Sequence, residues 1–123
     1  MKKCYRIINS SHPEKPSLKV ASADNFQSRL RGHFRNLAAI ACEGIYFKFP
    51  IEGKVFTAIH TLFMKKPLLA LWMDQNNNIV DKKITKPWHV YSPDKKSKYL
   101  LEISPSEYNF WNVGDKIEVY EIL

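Results

Sequence analysis

Four side chains in this sequence are typed and placed to do chemistry: Arg29, Arg31, His60 and Glu102. His60 sits in the run Ala58-Ile59-His60-Thr61-Leu62-Phe63-Met64. If Val55–Phe63 is a strand, alternation puts His60 on one face with Phe56, Ala58 and Leu62. An imidazole there is desolvated, which disfavours its charged form and suits a neutral base or ligand. A core histidine bonded to backbone fits the same pattern, and that reading outweighs the chemical one. Arg29 and Arg31 belong to Arg29-Leu30-Arg31-Gly32-His33-Phe34-Arg35. Guanidinium groups on a helix can hold phosphate or carboxylate bidentately. They can equally lie in water or pair with acids. Glu102 lies in Tyr99-Leu100-Leu101-Glu102-Ile103, on the face of Leu100 and opposite Leu101 and Ile103. Buried, it needs a cationic partner, for which Arg29 or Arg31 is the candidate. A Glu102 in open solvent would overturn that pairing.

Aromatic residues form a further group: Trp88, Tyr91, Tyr99, Tyr108, Phe110 and Trp111 lie near lysines in the second half. Rings beside positive charge can stack bases or sugars. A small β domain also needs large rings for its core, and packing is the weightier reading.

The strong catalytic signatures are missing. There is no GxGxxG, GxxxxGK[ST], GxSxG or HExxH. His12, His33, His60 and His89 are scattered, with no pair at metal-ligand spacing. Cys4 and Cys42 are too few for a disulfide framework and read as reduced core thiols. Neither a cofactor nor a metal is expected.

These residues must be positioned by short elements. Cys4–Asn9 alternates as a strand, Ser10–Pro16 is a loop, and Ser17–Ala21 is a second strand. Ser22 or Asp24 can cap a helix reaching about Phe34, with Phe26, Leu30 and Phe34 as its apolar stripe. Ile45–Phe49 alternates and ends at Pro50, before a turn at Glu52-Gly53-Lys54. Pro67–Met73 is an apolar run. Gln75-Asn76-Asn77-Asn78 suits a hairpin turn, with Ile79–Thr85 as the return strand. Pro87–Pro93 is a loop. Lys98–Ser104 and Lys116–Leu123 close the chain as strands, with one helical turn within Ser104–Trp111. The pattern predicts a mainly β fold, a small distorted sandwich or partly closed barrel of about seven or eight short strands with one helix in the N-terminal half.

The chain has 123 residues, so one domain over 1–123 is expected. Its formal charge of +7 is uneven. Residues 1–62 carry ten Lys and Arg against four acids, and residues 63–123 carry nine against eight. That favours an anionic partner, although a solvated surface explains it too. No apolar run approaches a membrane span of about 20 residues. The start Met1-Lys2-Lys3 lacks the following apolar stretch of a signal peptide, which predicts a cytoplasmic protein.

Read in order, several fragments resemble a known family. They are Arg29-Leu30-Arg31-Gly32, Glu43-Gly44-Ile45 with Phe47 and Pro50, Ile59-His60-Thr61 with Met64 and Pro67, Trp72-Met73-Asp74, Ile79-Val80, Pro87, Leu100-Leu101-Glu102-Ile103 and Val113-Gly114-Asp115. Together, over roughly residues 17–121, they look like the domain-of-unknown-function family numbered 192. The resemblance implies a mainly β sandwich or barrel, found in bacteria and archaea, and brings no activity with it. It leaves Arg29, His60 and Glu102 as polar family positions. The family usually has an acid where this chain has Leu69, and that acid would have been a natural partner for His60. Its loss weakens the case for acid–base chemistry. The leading expectation is therefore a non-catalytic binding or accessory domain for an anionic small molecule, sugar or polyanion. A small hydrolase-like enzyme using His60, Glu102 and Arg29 is the second, and a protein–protein interaction module around Tyr108–Trp111 the third.

Overall fold

Leu68-Leu69-Ala70-Leu71-Trp72-Met73 is apolar at every position, and such a strand must be covered on both faces. The computed structural model, which describes residues 4–23, 43–53, 59–60, 67–86 and 89–122, places it in that setting. Nine strands are described: β1 (Cys4–Asn9), β2 (Leu18–Ala23), β3 (Gly44–Gly53), β4 (Ile59–His60), β5 (Leu68–Met73), β6 (Ile79–Thr85), β7 (Val90–Tyr91), β8 (Ser97–Ile103) and β9 (Ile117–Ile122). A 3-10 helix, Pro105–Phe110, joins β8 to β9. Seven strands make one sheet in the order β6-β5-β8-β3-β2-β1-β9, and β4 pairs with β7 separately.

The sheet curls on itself. Its edge strands, β6 and β9, are stitched together at one end by an antiparallel bridge between Asn78 and Lys116. Ile79 N–H donates to Asp115 O at 2.9 Å and Ile117 N–H to Asn77 O at 2.8 Å. The result is a partly closed barrel, as the strand pattern predicts. Its interior is filled from every strand of the sheet, by Ile7, Val20, Tyr46, Leu71, Leu101 and Ile117 among others. A second apolar cluster lies on the outer face of β3, β8 and β5: Ile45, Phe47, Phe49, Ala70, Trp72 and Leu100. Tyr91 of β7 packs against it.

Local chemistry accounts for the turns. Asp74 Oδ1 accepts from the N–H groups of Asn76 and Asn78, at 2.9 and 3.0 Å, and Asn77 takes a φ of 63°. This is the left-handed backbone that an Asn cluster tolerates best. Ser104 caps the 3-10 helix, its Oγ accepting from Ser106 N–H, and Pro105 begins it.

Four sequence expectations need correction. Ser22 lies buried within β2 and is not a helix cap. Pro50 does not end β3, which runs on to Gly53. The pairing with β8 shifts between Lys48 and Gly53, and such an irregularity is where a proline with no N–H can sit in a strand. The stretch 87–93 is not wholly loop, since Val90–Tyr91 pairs with β4. Trp111 is in the core, as the packing reading of the aromatic group has it, so the exposed patch suggested around Tyr108–Trp111 loses that ring. The expected helix from Ser22 or Asp24 to Phe34 falls outside the described residues, as does most of the expected strand 55–63. The parallel pairing of β2 with β3 does require a crossover between them, because parallel neighbours cannot be joined by a tight turn.

Candidate functional site

Glu102 is 5% exposed, so it does not stand in open solvent. In register it lies between Ile45 of β3 and Ala70 of β5. It shares the outer face with Leu100, as strand alternation predicts, and the small Ala70 leaves room beside it. A carboxylate in such surroundings must be satisfied, and Glu102 does have an interaction partner. His60 stands opposite Val90, one residue from the Ile59–Tyr91 pair, so its strand belongs to the small sheet whose Tyr91 packs on this same outer cluster. Arg29 and Arg31 lie outside the described residues.

Leu69, where the family resemblance implies an acid that could have partnered His60, lies in β5. It is fully buried inside the barrel, opposite Ile103 and Ile84. The neighbouring residue Ala70, not Leu69, faces Glu102. An acid at position 69 would point into the barrel core, on the opposite face of the sheet from Glu102. In this chain Leu69 serves core packing. Among the described residues no group of three His, Cys, Asp or Glu could hold a metal ion. Cys4 is a half-buried free thiol, and Cys42 is outside the described residues.

Two further clusters were less legible. Inside one end of the barrel Tyr5 meets Tyr46 edge-on at 5.4 Å, and Tyr46 stacks on Tyr99 at 5.7 Å. The Lys48 ammonium lies 4.9 Å from the Tyr5 ring. Burial, reinforced by the neighbouring Tyr99 and Tyr5 phenols, holds the Tyr46 pKa well above its ordinary 10.0. The unfolded chain therefore loses this proton first. The stability that the neutral phenol contributes is complete below pH 10 and declines as pH rises above it. We expect the wild type to lose stability above pH 10 more steeply than Tyr46→Phe, by up to about 1.4 kcal/mol per pH unit. Urea unfolding at pH 9, 10 and 11 measures this, and parallel slopes would refute it.

The second cluster surrounds the 3-10 helix. Tyr108 and Phe110 are each 41% exposed, and Val113 beyond them is 54% exposed. The Lys15 ammonium sits 2.9 Å from the Phe110 ring centroid, and Lys82 sits 3.8 Å from that of Tyr108. Lys82 also donates to Tyr108 O (2.8 Å), Trp111 O (3.1 Å) and Asn112 Oδ1 (3.1 Å). Burial lowers the pKa of Lys82, while the Asp115 charge opposes the shift. Asn9 Nδ2 donates to Phe110 O at 3.1 Å and to Asp115 Oδ2 at 2.8 Å. Trp111 Nε1 donates to Glu107 Oε1 at 3.1 Å. The two exposed rings are thus carried on a segment tied to β1, β6 and the core. Tyr108 and Phe110 were visible in the sequence as part of the aromatic group. Their pairing with Lys15 and Lys82, 95 and 26 residues away in number, was not.

A UPF0127 protein of Pyrococcus abyssi is 33% identical to this chain over 114 residues, covering 91% of the chain and 95% of the relative. The chain belongs to the UPF0127 family. It is an uncharacterised family, in keeping with the resemblance read from the sequence. A second UPF0127 protein, from Thermococcus kodakarensis, is 32% identical over 96 residues, with 78% of this chain and 60% of that protein covered. No family model matches the chain. Among solved structures, a Sinorhizobium meliloti protein provisionally described as a transcription regulator superposes with a TM-score of 0.72 at 17% identity, covering 97% of this chain and 94% of the other. A Novosphingobium aromaticivorans protein of unknown function gives 0.66 at 15% identity, covering 94% and 83%. At these identities the likeness is one of fold. The UPF0127 chain thus shares its barrel with proteins whose names assign it no chemistry. No helix among its described residues is long and apolar enough to cross a membrane.

Proposed function

We propose that this UPF0127 chain is a single, cytoplasmic, non-catalytic binding or accessory domain for an anionic or sugar-like ligand. The observation that carries the reading is the surface of the 3-10 helix, where two exposed rings are each accompanied by an ammonium. Aromatic planes suit sugars and bases, and lysines suit anions. The formal charge of +7 supplies the long-range attraction. The sequence fragments also resemble the family numbered 192, which brings no activity to set against this reading. The expected result is retention on immobilised heparin that weakens steadily as salt rises, because cation–anion contacts release counterions. Passage through the column at low salt, or elution independent of salt, would refute it.

A second reading keeps Arg29, Arg31, His60 and Glu102 as one site, with Glu102 acting beside His60 and Arg29 in a small hydrolase-like enzyme. Burial of the Glu102 carboxylate on an apolar face is the observation in its favour, since a charge taken out of water there has to be paired or hydrogen-bonded. A thermal-shift screen that finds a ligand whose stabilisation disappears in Glu102→Gln and His60→Gln alike would favour this reading over the first.

A further inference from the structure

The surface around the 3-10 helix has features that a general anion site does not need. A polyanion such as a sulfated sugar requires only charge, which the lysines supply. Here two aromatic side chains are exposed, and they are held in place. Ser104 caps the helix, Lys82 bridges three acceptors on its C-terminal side, and Asn9 holds the Phe110 carbonyl. Little ordering cost remains to be met on binding. Tyr108 and Phe110 are each 41% exposed with a lysine ammonium already in contact with the ring. Two residues apart on a 3-10 helix, the rings project about 120° from one another. Successive planar groups resting on them would be splayed apart rather than stacked together, which a flexible single strand permits and a duplex does not.

We infer that this surface binds single-stranded nucleic acid, with bases stacked on Tyr108 and Phe110 and the phosphate backbone attracted by Lys15 and the chain's positive charge. Charge complementarity favours a polyanion, and the paired rings favour one that carries flat apolar groups. Val113, 54% exposed, extends the apolar surface beyond the rings. Lys82, with three acceptors, positions Tyr108 and the loop; Lys15, set against a ring, is the cation placed for a phosphate oxygen. This inference names the ligand class for the binding reading and rests on it.

The test uses the full chain and three probes: a fluorescent twelve-nucleotide oligothymidylate, heparin and poly-glutamate. Tyr108→Leu and Phe110→Leu remove the aromatic plane and keep apolar bulk at exposed positions, and melting curves confirm that they fold. The expected result is oligothymidylate binding that weakens roughly 5- to 100-fold for each ring lost, a larger loss than the same substitution causes in heparin retention. Lys15→Gln should weaken oligothymidylate and reduce its salt dependence. Oligothymidylate binding that ignores both ring substitutions would overturn the inference. So would heparin binding with no affinity for oligothymidylate, although the anion-binding reading would survive. Ring-dependent binding of poly-glutamate alone would replace nucleic acid with an acidic protein partner. If no probe binds, both readings fall.

Discussion

Trp111→Ala is expected to destabilise the domain by about 3–5 kcal/mol, a large share of the stability of a protein this size. Trp111 is almost wholly buried and is among the largest side chains of the barrel interior. Removing it leaves a cavity where the chain enters the barrel between the 3-10 helix and β9, and neighbours held in a sheet can collapse only partly into the space. The substitution also removes the Nε1–H donor to Glu107. The loss should be read in urea, as a lower midpoint with little change in slope. Trp111→Phe separates the two effects, keeping most of the apolar volume but not the hydrogen bond, and should cost far less. At a temperature where Trp111→Ala is still folded, oligothymidylate binding should also fall, because Trp111 anchors the segment that presents Tyr108 and Phe110. A midpoint within experimental error of wild type would show that Trp111 is not the anchor described here.

Gly44→Ala is expected to cost about 3 kcal/mol, at the upper end of what overpacking does. Gly44 opens β3 and is hydrogen-bonded between β2 and β8, opposite Val20 and Ile103. A Cβ there would lie 2.5 Å from the Glu102 carbonyl oxygen and 2.5 Å from Ile103 Cγ2. The side-chain methyl could move, but the carbonyl belongs to a central strand and cannot. Gly114 provides the contrast. It has φ +98° and nothing within 4 Å of a Cβ, so Gly114→Ala should cost only the backbone term, about 1–2 kcal/mol. Differential melting of the two variants checks the order: Gly44→Ala should melt roughly 10 °C below wild type and Gly114→Ala by about half of that. Equal melting points would mean that β3 and β8 shift apart easily, and that the face bearing Glu102 is softer than its packing indicates.

The Gly44 contact also illustrates how little of the site could be read in one dimension. Glu43-Gly44-Ile45 was legible as a fragment of a family pattern. That its glycine is required by the carbonyl of Glu102, 58 positions later, depends on strands β3 and β8 being neighbours. Leu69 makes the same point more sharply. The family resemblance implies an acid there, and an acid near the His60 strand would have been a natural partner for that histidine. The pairing of β5 with β8 sets Ala70 against Glu102 and turns Leu69 to the other face. A one-residue step along a strand reverses the side on which a residue acts, so chemistry inferred across strands depends wholly on register.

What the sequence determined by itself was local. Alternation set most of the strands, and Pro67–Met73 stood out as a continuous apolar run, which the fold buries as β5. The Asn cluster specified the turn into β6, and Ser104-Pro105 the start of the 3-10 helix. These follow from side-chain period and backbone preference, which act over a few residues. Glu102's face was legible for the same reason, whereas its burial was only a condition of the expected pairing until the fold set it between Ile45 and Ala70. Tertiary structure alone decided which ends met. It joined the edges of the sheet through Asn78 and Lys116, sent Leu69 inward, and sank Trp111 into the core while leaving Tyr108 and Phe110 outside. It also brought Lys15 and Lys82 to those two rings from different parts of the chain. Such contacts depend on strand order and barrel curvature, which sum over the whole chain and leave no trace in the spacing of any one segment.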